Sequence, residues 1–155
     1  MATRSVPMLS LEAAQVASAA SQEKAKSLGI DFNIALVDAT LHLVHFVRMP
    51  NAKLTSIDIA INKAFTAAGH RMPTALYTTG DTGKNFVPGG VAYGIHNSNG
   101  GRFTLIGGGV PIVIDGVVVG AIGVSTGTPA QDSEVAVAGV EAIKAFVRRK
   151  GGSKL

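Results

Sequence analysis

The chain contains no cysteine. That excludes a disulfide framework, a thiolate nucleophile and any cysteine-held metal. Charge is also scarce: 15% of residues are Asp, Glu, Lys or Arg, against roughly 25% in an average globular protein. So few charges cover a 155-residue monomer poorly, so part of the apolar surface is expected to lie between subunits of a homo-oligomer. The formal charge is +4, but Arg148, Arg149, Lys150 and Lys154 supply it from the last eight residues, and the rest of the chain is near neutral. That tail reads as a solvated, frayed terminus. No aromatic residue interrupts its basic residues, which argues against a nucleic-acid partner.

Long apolar runs are missing too. The longest, Val110 to Val124, is broken by Pro111, Asp115 and several glycines, and a membrane-spanning helix needs roughly 20 apolar residues. Residues 1–8 are too short for a signal peptide, and Glu12, Gln15 and Glu23 follow. A soluble cytoplasmic protein without a membrane partner is the expectation. The length suits one domain, 1–155, able to bury a core without staples.

What is present is a succession of local signals. Ser10 is placed to cap a helix that ends at Gly29. Ile30–Asp38 and His42–Met49 read as two strands joined by a turn at Ala39–Leu41. Alternation puts His42, Val44, Phe46 and Arg48 on one face and Leu43, His45 and Val47 on the other. Thr55-Ser56-Ile57-Asp58 has the spacing of a capping box. The helix it opens carries Ile57, Ile59, Ala60, Ile61, Ala64, Phe65 and Ala68 and is apolar nearly all round, as expected of a helix buried on several sides. Residues 73–102 form a long Gly-, Asn-, Pro- and Thr-rich segment, a length that in a compact domain points to function. Three strands are read after it: Phe103–Ile106, Val110–Ile114 and Val117–Ser125, the last two joined by the hairpin signal Asp115-Gly116. Thr128-Pro129-Ala130-Gln131 starts the final helix, which Gly151 is expected to stop. The order predicts an α+β fold with a mostly antiparallel five-stranded sheet flanked by helices.

Three motifs have plainer readings than their patterns suggest. Gly123-Val124-Ser125-Thr126-Gly127 matches a nucleophile elbow, yet all four histidines precede Ser125, so the hydrolase order of serine, acid and histidine is impossible. Gly80-Asp81-Thr82-Gly83-Lys84-Asn85 lacks the first glycine and the hydroxyl residue of a phosphate loop, and reads as an exposed turn. Gly107-Gly108-Gly109 precedes a strand, so its expected task is close backbone approach.

No metal site follows from the histidine spacing. Lys63 and His70 share a helix face at i, i+7 and could hold a carboxylate; alternatively, His70 and Arg71 complement the helix dipole. His42 shares a strand face with Arg48 and lies near Asp38, placing it as a general base, a haem ligand or a half-exposed strand residue. Arg48 could pair with Asp38, and Lys63 could reach solvent along its stem.

Several of these segments, in order, resemble the GlcG/HbpS family. They are Leu9-Ser10-Leu11-Glu12-Ala13-Ala14; Val37-Asp38 with His42-Leu43-Val44 and Arg48-Met49; and Ser56-Ile57-Asp58-Ile59-Ala60, Lys63-Ala64, Thr66-Ala67-Ala68 and Pro73-Thr74. In the C-terminal half they are Gly108-Gly109-Val110-Pro111-Ile112, Asp115-Gly116, Gly120 to Ser125 and Gln131-Asp132. The resemblance implies a profilin-like α/β/α domain, homo-oligomeric assembly and, for some members, haem; a related domain accompanies cobalamin adenosyltransferases. Two turns depart from the family pattern: Thr40-Leu41 stands where Gly is usual, and Pro50-Asn51 where Asp-Gly is usual. The stretch Gly89–Arg102 resembles only a subset of members.

The leading expectation is a small-molecule binder for haem, another tetrapyrrole or an acidic metabolite. Its contacts would be His42, Arg48, Lys63, His70, Tyr93 and Arg102, with His42 or His70 available to haem iron. The alternative is a cofactor-independent isomerase, lyase or cyclase using Asp38, Asp58, Lys63 and His70.

Overall fold

The computed structural model describes residues 1–152; Lys154 of the basic tail lies outside them. Helix α1 (Leu11–Leu28) is capped by Ser10, whose Oγ accepts from the Ala13 N–H, and ends at Gly29 in the left-handed conformation. Strands β1 (Asn33–Asp38) and β2 (Leu43–Arg48) form the first hairpin. Helix α2 (Ser56–His70) follows, then a loop containing only short helical turns, among them α3 (Gly80–Gly83). Strands β3 (Gly109–Ile114) and β4 (Val117–Ser125) form the second hairpin, and α4 (Pro129–Gly152) closes the described chain.

The four strands pair antiparallel in the order β2-β1-β4-β3. One face of the sheet, with Ile34, Leu36 and Ile122, packs on α1 and α4 through Ala14, Ala17, Val135 and Ile143. The other, with Ala35, Val37 and Ala121, packs on α2 through Ala60, Ala64 and Ala67. The result is an α/β/α sandwich. Its tightest seam lies between α2 and β4, where a Cβ on Gly123 would stand 2.0 Å from the Ala60 carbonyl oxygen. Only alanine on the helix and glycine on the strand allow that approach.

The sheet has four strands where the sequence suggests five. Phe103–Ile106 is not a strand, because side chains occupy its backbone groups. The Thr104 N–H donates to Thr66 Oγ1 (2.9 Å), and the Ile106 carbonyl accepts from Thr74 Oγ1 (2.7 Å). The β2 face assignment also changes. The β1–β2 register shifts between Leu36 and Val37, and Val44 joins Val47 on the α1/α4 side while Phe46 faces α2.

Thr55 makes no side-chain cap. The Ser56 and Ile57 N–H groups instead donate to the Lys53 and Leu54 carbonyls, so no hydroxyl is needed there. At α4 the capping box does form: the Thr128 N–H donates to Gln131 Oε1 and the Gln131 N–H to Thr128 Oγ1. The basic tail is helical as far as Gly152 rather than frayed, with Lys150 paired to Glu12 at 2.7 Å. Among the described residues no helix is long and apolar enough to cross a membrane.

Candidate functional site

Where α2 ends, four aromatic rings gather. His70, the last residue of α2, stacks on Tyr77 with ring centroids 5.7 Å apart and planes 11° apart, and meets Phe103 edge-on at 5.3 Å. Phe86 packs edge-on against Tyr77 at 4.7 Å. The Tyr77 hydroxyl hydrogen-bonds His70 Nδ1. Burial pushes the Tyr77 hydroxyl up to about 12, so it remains a neutral phenol across the physiological range. The bond engages Nδ1 and leaves Nε2 for a ligand.

His70 lines a cavity of about 290 Å³ between α2 and the long loop, together with Leu41, Phe65, Gly69, Asn99 and Phe103. Leu41 holds a left-handed backbone, φ 70°, at the tip of the β1–β2 turn, an unusual conformation for a branched side chain. A Cβ on Gly69 would lie 3.4 Å from Leu41 Cδ1, so helix and turn meet closely there. The wall is largely apolar, with one imidazole and a few hydroxyl and amide groups, a composition suited to a flat organic ligand.

The other residues singled out from the sequence are dispersed. Lys63 is 1% exposed, and its ammonium donates to Asp132 Oδ2 at 2.6 Å and to the Val124 carbonyl at 2.9 Å. It is an internal ion pair joining α2 to α4 rather than a cation beside His70. The i, i+7 spacing aligns the two backbones, but the lysine stem carries its charge to the buried Asp132 carboxylate. Burial lowers the Lys63 pKa and raises that of Asp132, and each partner opposes the other's shift. Gly108 lies over this pair. A Cβ there would stand 2.7 Å from Asp132 Cβ and 2.9 Å from Lys63 Nζ, which gives the Gly107–Gly109 run its close-approach task.

His42 is exposed and belongs to the turn: Thr40 Oγ1 donates to Asp38 Oδ1 (2.6 Å) and contacts His42 Nδ1 (3.0 Å). Burial raises the Asp38 carboxyl, but bonds from the Thr40 hydroxyl and N–H and the nearby His42 outweigh it and hold the group below its ordinary value. Arg48 is exposed on edge strand β2, and Asp58 is exposed in the first turn of α2. Tyr93 is 56% exposed and sits near His96 rather than on the cavity wall. Arg102 stacks 3.9 Å over Phe65, one residue behind the wall, and its Nε donates to Asn62. Ser125, in the elbow-like motif, is 4% exposed at the end of β4. Among the described residues no cluster of three or more His, Asp or Glu could hold a metal ion.

The family model for the haem degrading protein HbpS-like domain matches residues 9–141. The chain belongs to the HbpS-like family. This HbpS-like chain is 34% identical over 130 residues to an uncharacterized 15.0 kDa protein of Citrobacter freundii from the dhaT-dhaS intergenic region, covering 84% of this chain and 88% of that one. Its fold is similar to that of Klebsiella pneumoniae protein ORFY, with TM-score 0.88, 31% identity and coverage of 94% and 97%. It is also similar to the PduOC:heme complex, with TM-score 0.79, 29% identity and coverage of 87% and 94%.

Two elements of the HbpS-like chain's site were missed in the sequence reading. Tyr77, the partner of His70, lies seven residues on, across the break at Pro73. Leu41 was noted only as a departure from glycine, although that substitution is what brings a leucine to the cavity.

Proposed function

We propose that this protein binds a planar tetrapyrrole, haem in particular, in the cavity between α2 and the long loop, with His70 as the side chain offered to the iron. The observation that carries this is the His70–Tyr77 pair: an accessible imidazole on an apolar wall, its Nδ1 engaged by a buried neutral phenol. The residues fit the group. A haem is held through one axial imidazole and an apolar surround, and a second partner on the other ring nitrogen orients such a ligand. In the tautomer where Nδ1–H donates to the phenolic oxygen, Nε2 keeps its lone pair toward the ligand. The similarity to the PduOC:heme complex supports the same reading. Bound haem would supply redox and ligand-binding chemistry at its iron; the protein's part is to bind, orient and shield it.

The four residues named for the acid–base alternative do not gather at this cavity. Of Asp38, Asp58, Lys63 and His70, only His70 lines this cavity.

The test is a haemin titration followed by absorbance. The parent is expected to give a bound-haem spectrum, and His70→Ala to lose the axial-ligand signature while keeping its fold by circular dichroism. An unchanged spectrum in His70→Ala would assign the iron ligand elsewhere. We also propose a homo-oligomer, in keeping with the exposed valines Val113, Val117 and Val137 of β3, β4 and α4. Light scattering is expected to give a multiple of 15.8 kDa, and a value at the monomer mass refutes it.

A further inference from the structure

A second groove, of about 640 Å³, adjoins the His70 cavity and shares Leu41 and Gly69 with it. Its lining includes Arg4 from the segment before α1, Arg71 from the residue after α2, Thr40 from the hairpin turn, and no aspartate or glutamate. Every salt bridge among the described residues is formed by a lysine: Lys24, Lys26, Lys63, Lys84, Lys144 and Lys150. Neither Arg4 nor Arg71 has a carboxylate partner there. Two arginines from separate parts of the chain thus line one concave surface in a protein with few charges. Arg71 does so from a left-handed backbone, φ 59°, which a residue with a Cβ adopts at a cost.

We propose that the two cavities form one bipartite site for planar acids, the apolar body lying against His70 and Phe103 and its carboxylates held by Arg4 and Arg71. The guanidinium fork matches a carboxylate in two parallel hydrogen bonds, which a lysine cannot do. Cavity size points the same way. At about 290 Å³ the His70 cavity is at the lower limit for an organic ligand, roughly 300 Å³. A larger ligand must extend past Leu41 and Gly69, and the surface it meets there is cationic.

This inference rests on the proposed ligand cavity but not on iron ligation, and the experiment separates the two. Metal-free protoporphyrin IX and its dimethyl ester share one planar body and differ in their carboxylates. Their binding is measured by fluorescence to the parent, Arg4→Ala, Arg71→Asn and the double variant. Asparagine tolerates the left-handed backbone at 71, so the charge is removed without forcing the chain to move. The free acid is expected to bind the parent about tenfold tighter than the ester, or more. Each single variant should weaken the acid and leave the ester unchanged, and the double variant should bind both alike. Equal binding of acid and ester by the parent, an undiminished preference in the double variant, or no binding of either porphyrin overturns the proposal. If the acid preference is absent while haemin still binds through His70, the clamp fails and the haem reading stands. If the preference is present and arginine-dependent while His70→Ala leaves the haemin spectrum unchanged, the clamp stands and iron ligation by His70 fails.

Discussion

Breaking the Lys63–Asp132 pair one side at a time should reveal how much of the fold hangs on it. Both groups are buried, 1% and 2% exposed, and the ammonium has two acceptors, Asp132 Oδ2 and the Val124 carbonyl. Asp132 Oδ1 also accepts from the Gly127 N–H at 2.9 Å, so the carboxylate ties α4 to the end of β4 as well. Asp132→Ala strands an ammonium beneath Gly108 with one neutral acceptor, and Lys63→Met strands a carboxylate. Removing one partner of a buried pair costs about 3–5 kcal/mol. A domain of this kind has roughly 5–15 kcal/mol in total, so either variant should lose about a fifth of its stability or more. With a urea slope of about 2 kcal/mol per molar, the midpoint should fall by roughly 1.5–2.5 M at fixed protein concentration. The double variant Lys63→Met/Asp132→Leu leaves no orphan charge and should recover most of the loss, since apolar replacement of a buried pair is often neutral. Single-variant losses below about 1 kcal/mol, or a double variant as unstable as the sum of the singles, would refute the reasoning.

Three further outcomes follow. Gly108→Ala should cost about 3 kcal/mol or more in urea unfolding, because its Cβ would stand 2.6 Å from the Val124 carbonyl oxygen at a backbone φ of 121°. Asp38 is held below its ordinary value of 3.8, so its contribution is present above that pH and is lost as pH falls through the folded-state value; the stability gap between parent and Asp38→Ala should be constant near neutrality and close on acidification. Tyr77 runs the other way: its folded value of about 12 lies above the ordinary 10.0, so the parent should lose stability relative to Tyr77→Phe as pH rises from 10 toward 12, read by chemical denaturation at each pH.

The parts legible in the sequence were those set by local chemistry. Ser10 and Gly29 bound α1, Asp115-Gly116 makes the second hairpin with both residues at positive φ, and Thr128 with Gln131 caps α4. Each signal acts within a few residues. The errors arose where a distant group decides the outcome. Phe103–Ile106 has strand-like composition, but Thr66 and Thr74 occupy its backbone from 38 and 32 residues away. Thr55 was offered as a cap, but backbone turns at Lys53 and Leu54 already satisfy that helix end. Lys63 was read as a cleft cation because helix spacing shows direction, whereas Asp132, 69 residues on, decides where the charge ends. The length of the 73–102 loop pointed to function, but that Leu41, His70 and Phe103 would line one cavity did not show in the sequence. Nor did the adjoining groove that Arg4 lines, because Arg4 stands outside every periodic segment.

The central claim is that ligand enters the space between α2 and the long loop, against His70. Backbone amide NMR of the protein titrated with gallium protoporphyrin IX, a diamagnetic stand-in for haem, tests it most directly. The account predicts that the largest shifts fall at Leu41, Phe65, Gly69, His70, Asn99 and Phe103, the residues lining that cavity. Shifts centred instead on Val110, Val113, Val137 and Lys144, which line a separate groove between β3 and α4, would contradict it.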